Sequence, residues 1–129
     1  MFVGVSTPRL AALSAAGQAP PALVPIRMLV DTGASNTNLC DSVIQKLSIA
    51  PTGAVQVHTP STGNAPVAMD QYDVNLYINL PGLVHTIPTI PIICANFASQ
   101  GIHGLIGRDI LASTTLIYHG PLKIFTLNF

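Results

Sequence analysis

The sequence predicts a mostly β, single domain spanning residues 1–129. Three observations carry that expectation. Apolar residues recur at every second position over long stretches, the period of a half-buried strand. Helical patterns are few and short. Eleven prolines and ten glycines punctuate the chain and leave little room for long helices.

Taken in order, residues 2–6 read as a strand, and the Ala-rich stretch 7–20 as a long loop or a helical turn. In 24–30 the even positions Val24, Ile26, Met28 and Val30 are apolar, so one strand is expected there. Asp41 is placed to N-cap a short helix, "SVIQKL", that ends at Ser48. Strands follow at 54–59, 66–70 and 72–80. In the last, Tyr72, Val74, Leu76, Ile78 and Leu80 alternate with Gln71, Asp73, Asn75, Tyr77 and Asn79. Further strands are expected at 84–87 and 89–94, where Pro88 and Pro91 imply an edge strand or a bend. A second short helix follows Gly107, with Asp109 near its N-terminal dipole. Strands at 115–119 and 123–128 come last, with no internal repeat and no domain boundary.

The composition excludes several functions. Charged residues are 8% of the chain, five basic against five acidic, which gives no electrostatic footprint for nucleic acid or an anionic membrane. No run of 18 apolar residues is present, so no membrane span is expected. The N-terminal stretch lacks the basic and continuous apolar regions of a signal peptide and reads as part of the domain. Cys40 and Cys94 form no CxxC and read as buried free thiols, which leaves the compartment open with the cytosol favoured. His58, His85, His103 and His119 show no metal-ligand spacing, so no metal and no cofactor is expected. Asp70 and Asp73 fall on opposite faces of a strand and form no carboxylate pair. With 49% hydrophobic residues, the chain has apolar surface that an oligomer would cover.

The chemistry gathers in "RMLVDTGASNTNLC", residues 27–40. An apolar strand ends abruptly in Asp31, in a chain with five Asp and no Glu. Thr32 and Gly33 follow, then the small residues Ala34 and Ser35. By itself Asp-Thr-Gly is a common turn. Downstream, however, stands a second distinctive segment, "GLIGRDIL", residues 104–111.

"LVDTGAS" together with "LIGRDIL" resembles a retropepsin, the retroviral-type aspartic protease, in its bacterial single-domain form. The resemblance covers nearly the whole chain and implies the acid-protease fold, a closed β-barrel with one or two short helices. It implies a flap hairpin over 54–74 and a closing hairpin in "YHGPLKIFTLNF". It assigns Asp31, Thr32 and Gly33 to catalysis, with Thr32 bracing two turns across an axis and Gly33 letting backbone approach substrate. Ala34 and the flap tip, Ser61, Thr62, Gly63 and Asn64, would contact the peptide or protein substrate. Leu105, Ile106, Gly107, Arg108 and Asp109 form the supporting second motif, threaded behind the active-site turn. Viral members often carry an acid where this chain has Ser35, so Arg108 must find another partner: Asp109, Asp41 or backbone carbonyls.

The physical requirement agrees. Aspartic proteolysis uses two carboxylates sharing one proton, with water as nucleophile. At about 4 Å, two such charges repel by roughly 4 kcal/mol at an effective dielectric of 20, so one stays protonated. Asp-Thr-Gly occurs once here, and a symmetric homodimer would supply the second copy. The chain ends, 2–6 and 123–129, are the strands expected to build that dimer, the alternative being that both complete the sheet within one subunit. The rival function is an inactive protease-like binding or assembly module. A third reading is an unrelated β domain with a chance turn.

Overall fold

The computed structural model describes residues 1–57 and 66–129. β1 (Phe2–Val5) leads to α1 (Thr7–Ala15), β2 (Val24–Pro25), β3 (Met28–Val30) and β4 (Asn38–Leu39). α2 (Asp41–Leu47) precedes β5 (Gly53–Val57), β6 (Val67–Leu80) and β7 (Leu83–Cys94). Then come β8 (Gly104–Ile106), α3 (Arg108–Leu111), β9 (Thr115–His119) and β10 (Ile124–Asn128). The first eight strands form one sheet in the order β2-β1-β6-β7-β4-β8-β3, with β5 also paired to β6. The sheet curls into a half-barrel of the acid-protease type, mostly β as the alternation required.

The core lies inside that curl. Val3, Leu39, Val74, Leu76 and Ile92 from the sheet meet Val43, Ile44 and Leu47 from α2. Burying side chains of this size stabilises by about 1.5–3 kcal/mol each. α2 ends where Ser48 turns left-handed, at φ 50°. Its start differs from expectation by one residue. Cys40 holds the N-cap position and Asp41 is the first helical residue, its carboxylate accepting from Gln45 Nε2 instead of a backbone N–H. The charge still sits well, at the positive end of the helix dipole.

Two pairs of expected strands are each one long strand. Segments 66–70 and 72–80 merge in β6, and 84–87 and 89–94 merge in β7. The prolines of β7 fall in a stretch paired to β6 alone, because β4 meets β7 only at Ile93 and Cys94. They mark a bend: the β6–β7 register shifts between Val74 and Leu76, and Thr89 takes a φ of 49°. Conversely, 24–30 is not one strand. It breaks into β2 and β3, although Val24 and Ile26 are buried and Leu23 and Leu29 about half exposed, as the alternation predicts.

The bend is organised by Asn75, a polar residue buried in the middle of β6. Its Oδ1 accepts from Thr89 N–H at 2.7 Å, Thr7 N–H at 3.1 Å and Thr7 Oγ1 at 3.2 Å. The Ser6 side chain at the N-cap of α1 makes no capping bond, so this amide from across the sheet serves the first turn instead. Residues 7–15 are therefore a helix, with Pro8 in the first turn where no N–H partner is needed.

β9 and β10 form a separate two-stranded sheet, Phe125 opposite Tyr118 and Leu127 opposite Leu116. Ile117, Tyr118, Leu122, Ile124 and Phe125 are each more than half exposed. The Phe129 ring lies 4.5 Å from the His85 ring of β7. β1, by contrast, is paired along its length to β6 and at Phe2 and Val3 to β2, so the N-terminal strand completes the sheet within its own subunit.

Replacing Asn75 by Ala leaves the Thr7 and Thr89 N–H groups without their acceptor. The expected loss is about 1–3 kcal/mol. A urea unfolding curve should show it as a lower midpoint at unchanged slope. An unmoved midpoint would mean the amide does not hold the bend.

Candidate active site

The strands around Asp31 cross in an uncommon way. β3 enters the turn running parallel to β8, with Met28, Leu29 and Val30 opposite Gly104, Leu105 and Ile106. β4 leaves it on the other side of β8, antiparallel, with Asn38 opposite Leu105 and Leu39 opposite Gly104. β8 thus lies between the chain entering the turn and the chain leaving it. The ladder extends past both ends of β3. Asp31 N–H donates to the Ile106 carbonyl at 3.0 Å and His103 N–H to the Arg27 carbonyl at 2.8 Å. Arg27 N–H donates to His103 Nδ1 at 3.0 Å.

Two glycines make this crossing possible. A Cβ on Gly104 would stand 2.0 Å from the Asn38 carbonyl oxygen, and one on Gly107 2.5 Å from the Asn36 carbonyl carbon. Both contacts are with backbone, so no side chain can move to relieve them.

The turn itself is self-braced. Asp31 Oδ1 accepts from Gly33 N–H at 2.8 Å and Ala34 N–H at 3.3 Å, while the Asp31 carbonyl accepts from Ala34 N–H at 3.2 Å. An Asp side chain folded back on its own turn is the usual reason for Asp at such a corner. Among the described residues no donor reaches Oδ2. Thr32, Gly33, Ser35 and Asn36 are exposed, and Asp31 and Ala34 half-buried.

Beneath the turn sits the start of α3. Arg108 N–H donates to the Ala34 carbonyl at 2.9 Å. Arg108 Nη1 donates to the carbonyls of Thr32 and Gly33, both at 3.0 Å, and Nη2 to Ser35 Oγ at 2.7 Å. Of the partners considered for Arg108, the backbone carbonyls are the ones used, and Ser35 takes the place of an acid. Asp109 is engaged elsewhere. Its carboxylate accepts from Thr37 N–H and Thr37 Oγ1, both at 2.8 Å, and from Ile110 N–H at 2.9 Å.

Sequence reasoning missed Thr37. This residue is fully buried, and its Oγ1 also accepts from Gly107 N–H at 3.1 Å. It joins the outgoing chain to both halves of the second motif. The available signal was a hydroxyl six residues after Asp31, too common to single out. His103 was noted only as lacking metal spacing, and its backbone role has no sequence mark.

The structure therefore brings Asp31, Thr32, Gly33 and Ala34 together with Leu105, Ile106, Gly107, Arg108 and Asp109. The flap-tip residues Ser61, Thr62, Gly63 and Asn64 lie outside the described residues. β5 and β6, the arms that lead to them, pair from Gly53–Gln71 to Val57–Val67. Among the described residues no three His, Cys, Asp or Glu side chains are grouped to hold a metal ion. Both cysteines are free. Burial, reinforced by the Asp41 carboxylate, pushes the Cys94 thiol up, away from nucleophile chemistry.

A family model for aspartyl proteases matches residues 16–110. The chain belongs to the aspartyl protease family. The matched segment includes both the Asp31 turn and the 104–109 strand and helix start, the parts that interlock. Neither a curated protein nor a solved structure matches the chain. Among the described residues of this aspartyl protease chain, no helix is long and apolar enough to cross a membrane.

Thr37→Val keeps the shape and deletes the hydroxyl between Gly107 and Asp109. It leaves a buried N–H unpaired, at an expected cost of about 1–3 kcal/mol. Denaturant unfolding measures it, and a variant as stable as the parent would show that the hydroxyl does not hold the second motif in place.

Proposed function

We propose that this protein is an aspartic endopeptidase, active as a symmetric homodimer with one catalytic Asp31 from each chain. The observation that carries the reading is the Asp31 turn. Its carboxylate is fixed through Oδ1 by its own backbone, Oδ2 has no donor among the described residues, and the second motif is locked beneath it. Family membership supports peptide hydrolysis in general.

In this mechanism one Asp31 is ionised and accepts a proton from a bound water. The other is protonated and donates to the oxygen of the scissile carbonyl as water attacks. Thr32 braces the two turns against each other across the axis. Gly33 and Ala34 lie along the peptide backbone, and the flap residues Ser61, Thr62, Gly63 and Asn64 close over it. Arg108 keeps the carbonyls of Thr32 and Gly33 directed away from the carboxylates. The reaction needs no metal and no covalent intermediate.

The β9–β10 hairpin is the element through which the two copies associate. An isolated hairpin is marginally stable in water, and an open apolar edge invites pairing. A second copy covers that surface and supplies the second carboxylate.

Asp31→Asn keeps the shape and removes the ionisable group. Peptide cleavage should fall to background while folding and self-association persist. Cleavage by the Asn variant at a near-parental rate would remove Asp31 from the chemistry. The parent should give an acid-shifted, bell-shaped pH profile that chelators leave unchanged. Deleting residues 124–129 should abolish dimer and activity together, as read by sedimentation and a peptide assay. A stable, active dimer lacking them would place the interface elsewhere.

A further inference from the structure

A backbone N–H can only donate. The 3.0 Å bond from Arg27 N–H to His103 Nδ1 therefore requires that nitrogen to be unprotonated, which leaves any ring proton on Nε2. The bond exists with the neutral imidazole and is lost in the imidazolium, where both nitrogens carry protons. It is placed where its loss matters. Arg27 and His103 immediately precede β3 and β8, so the ring closes the end of the parallel pair that delivers Asp31 and the second motif. The His103 backbone is held independently, by its N–H to Arg27 and by Cys40 N–H to its carbonyl at 2.7 Å. The side chain can thus leave without the strand leaving.

It also has a place to go. His103 lines a cavity of about 420 Å³ with Cys40, Asp41, Ser42, Asn96, Gly101 and Ile102. The ionisable groups at this region are the Asp41 carboxylate from α2, the Cys40 thiol before it and the Cys94 thiol of β7, which contacts Asp41 at 3.9 Å. Of these, only Asp41 is a carboxylate. We propose that His103 is a pH-responsive positioning residue. Its neutral ring latches Arg27 N–H and tightens the entry of the β3–β8 pair, and its protonated ring turns toward Asp41 and loosens that end while the backbone ladder holds.

The sign is fixed by the geometry. The latch is closed where the ring is neutral and opens where the ring takes up a second proton, so acid opens it. It therefore opposes the acid-shifted chemistry of the proposed protease and sets a limit on its acid side. That last consequence rests on the protease reading, while the latch itself does not.

The test compares unfolding equilibria between pH 8 and 5 for the parent, His103→Asn and Asp41→Asn. Asn offers an oxygen where Nδ1 stands and does not titrate in this range. Relative to His103→Asn, the parent's folded-to-unfolded ratio should drop by about two- to tenfold as the pH falls, the worth of one hydrogen bond. Asp41→Asn should enlarge the parent's drop, because the imidazolium then has no carboxylate to meet. Imidazole nitrogen NMR should show an Nε2–H tautomer at the high-pH end. A pH-independent difference between parent and His103→Asn, or an Nδ1–H tautomer, would overturn the proposal. An Asp41→Asn drop equal to the parent's would overturn the movement toward Asp41. In a peptide assay, His103→Asn should extend activity to lower pH. Absence of any cleavage would count against the protease reading and leave the stability result standing.

Discussion

Everything around Asp31 depends on a close approach of backbone to backbone. The chain leaving the turn passes Gly104 and Gly107 with no room for a Cβ at either. That approach lets β8 lie between β3 and β4, so the strand entering the turn and the strand leaving it are both tied to one central strand. A loop held on both sides in this way has little freedom. The acid at its tip stays where the strands put it. Preorganisation of this kind is what proton-transfer chemistry requires, because misplacing a carboxylate by about 1 Å can cost two orders of magnitude in rate.

The polar contacts then divide the labour. Arg108 binds carbonyls of the turn, and Asp109 binds the buried Thr37 beneath it. Adjacent residues of opposite charge thus do not pair with each other. Each stabilises a different part of the backbone, and charge-assisted bonds of this sort are stronger than neutral ones. Ser35 accepts from Arg108 where an acid would have neutralised it. The turn is held by hydrogen bonds to a cation that has no acidic partner among the described residues.

Much of this was legible in the residues. Alternation in 72–80 placed Tyr72, Val74 and Leu76 in the core, and the abrupt step from Val30 to Asp31 marked the turn. The glycine–arginine–aspartate run marked the segment below it. What was not legible has physical causes. A strand of two residues such as β4 carries no period to detect, and neither does β8 with three. Asn75 reads as a solvent-facing position because alternation takes no account of a bulge, which turned it inward to serve Thr7 and Thr89. The partner of Arg108 was undetermined because backbone carbonyls leave no trace in residue identity. The N-terminal strand had the composition of an exposed edge, but α1 and β2 return the chain so that β1 is paired to β6 along its length and to β2 at Phe2 and Val3.

The account makes each chain half of a site, its Asp31 meeting a second Asp31 across an axis. Titrating the parent protein with increasing Asp31→Asn chain, at fixed total concentration under conditions of free subunit exchange, tests this most directly. If both carboxylates are needed and the two chains pair at random, activity falls as the square of the parent fraction. Activity that instead falls in simple proportion to the parent fraction would mean that a single chain carries a complete site, and would contradict the account.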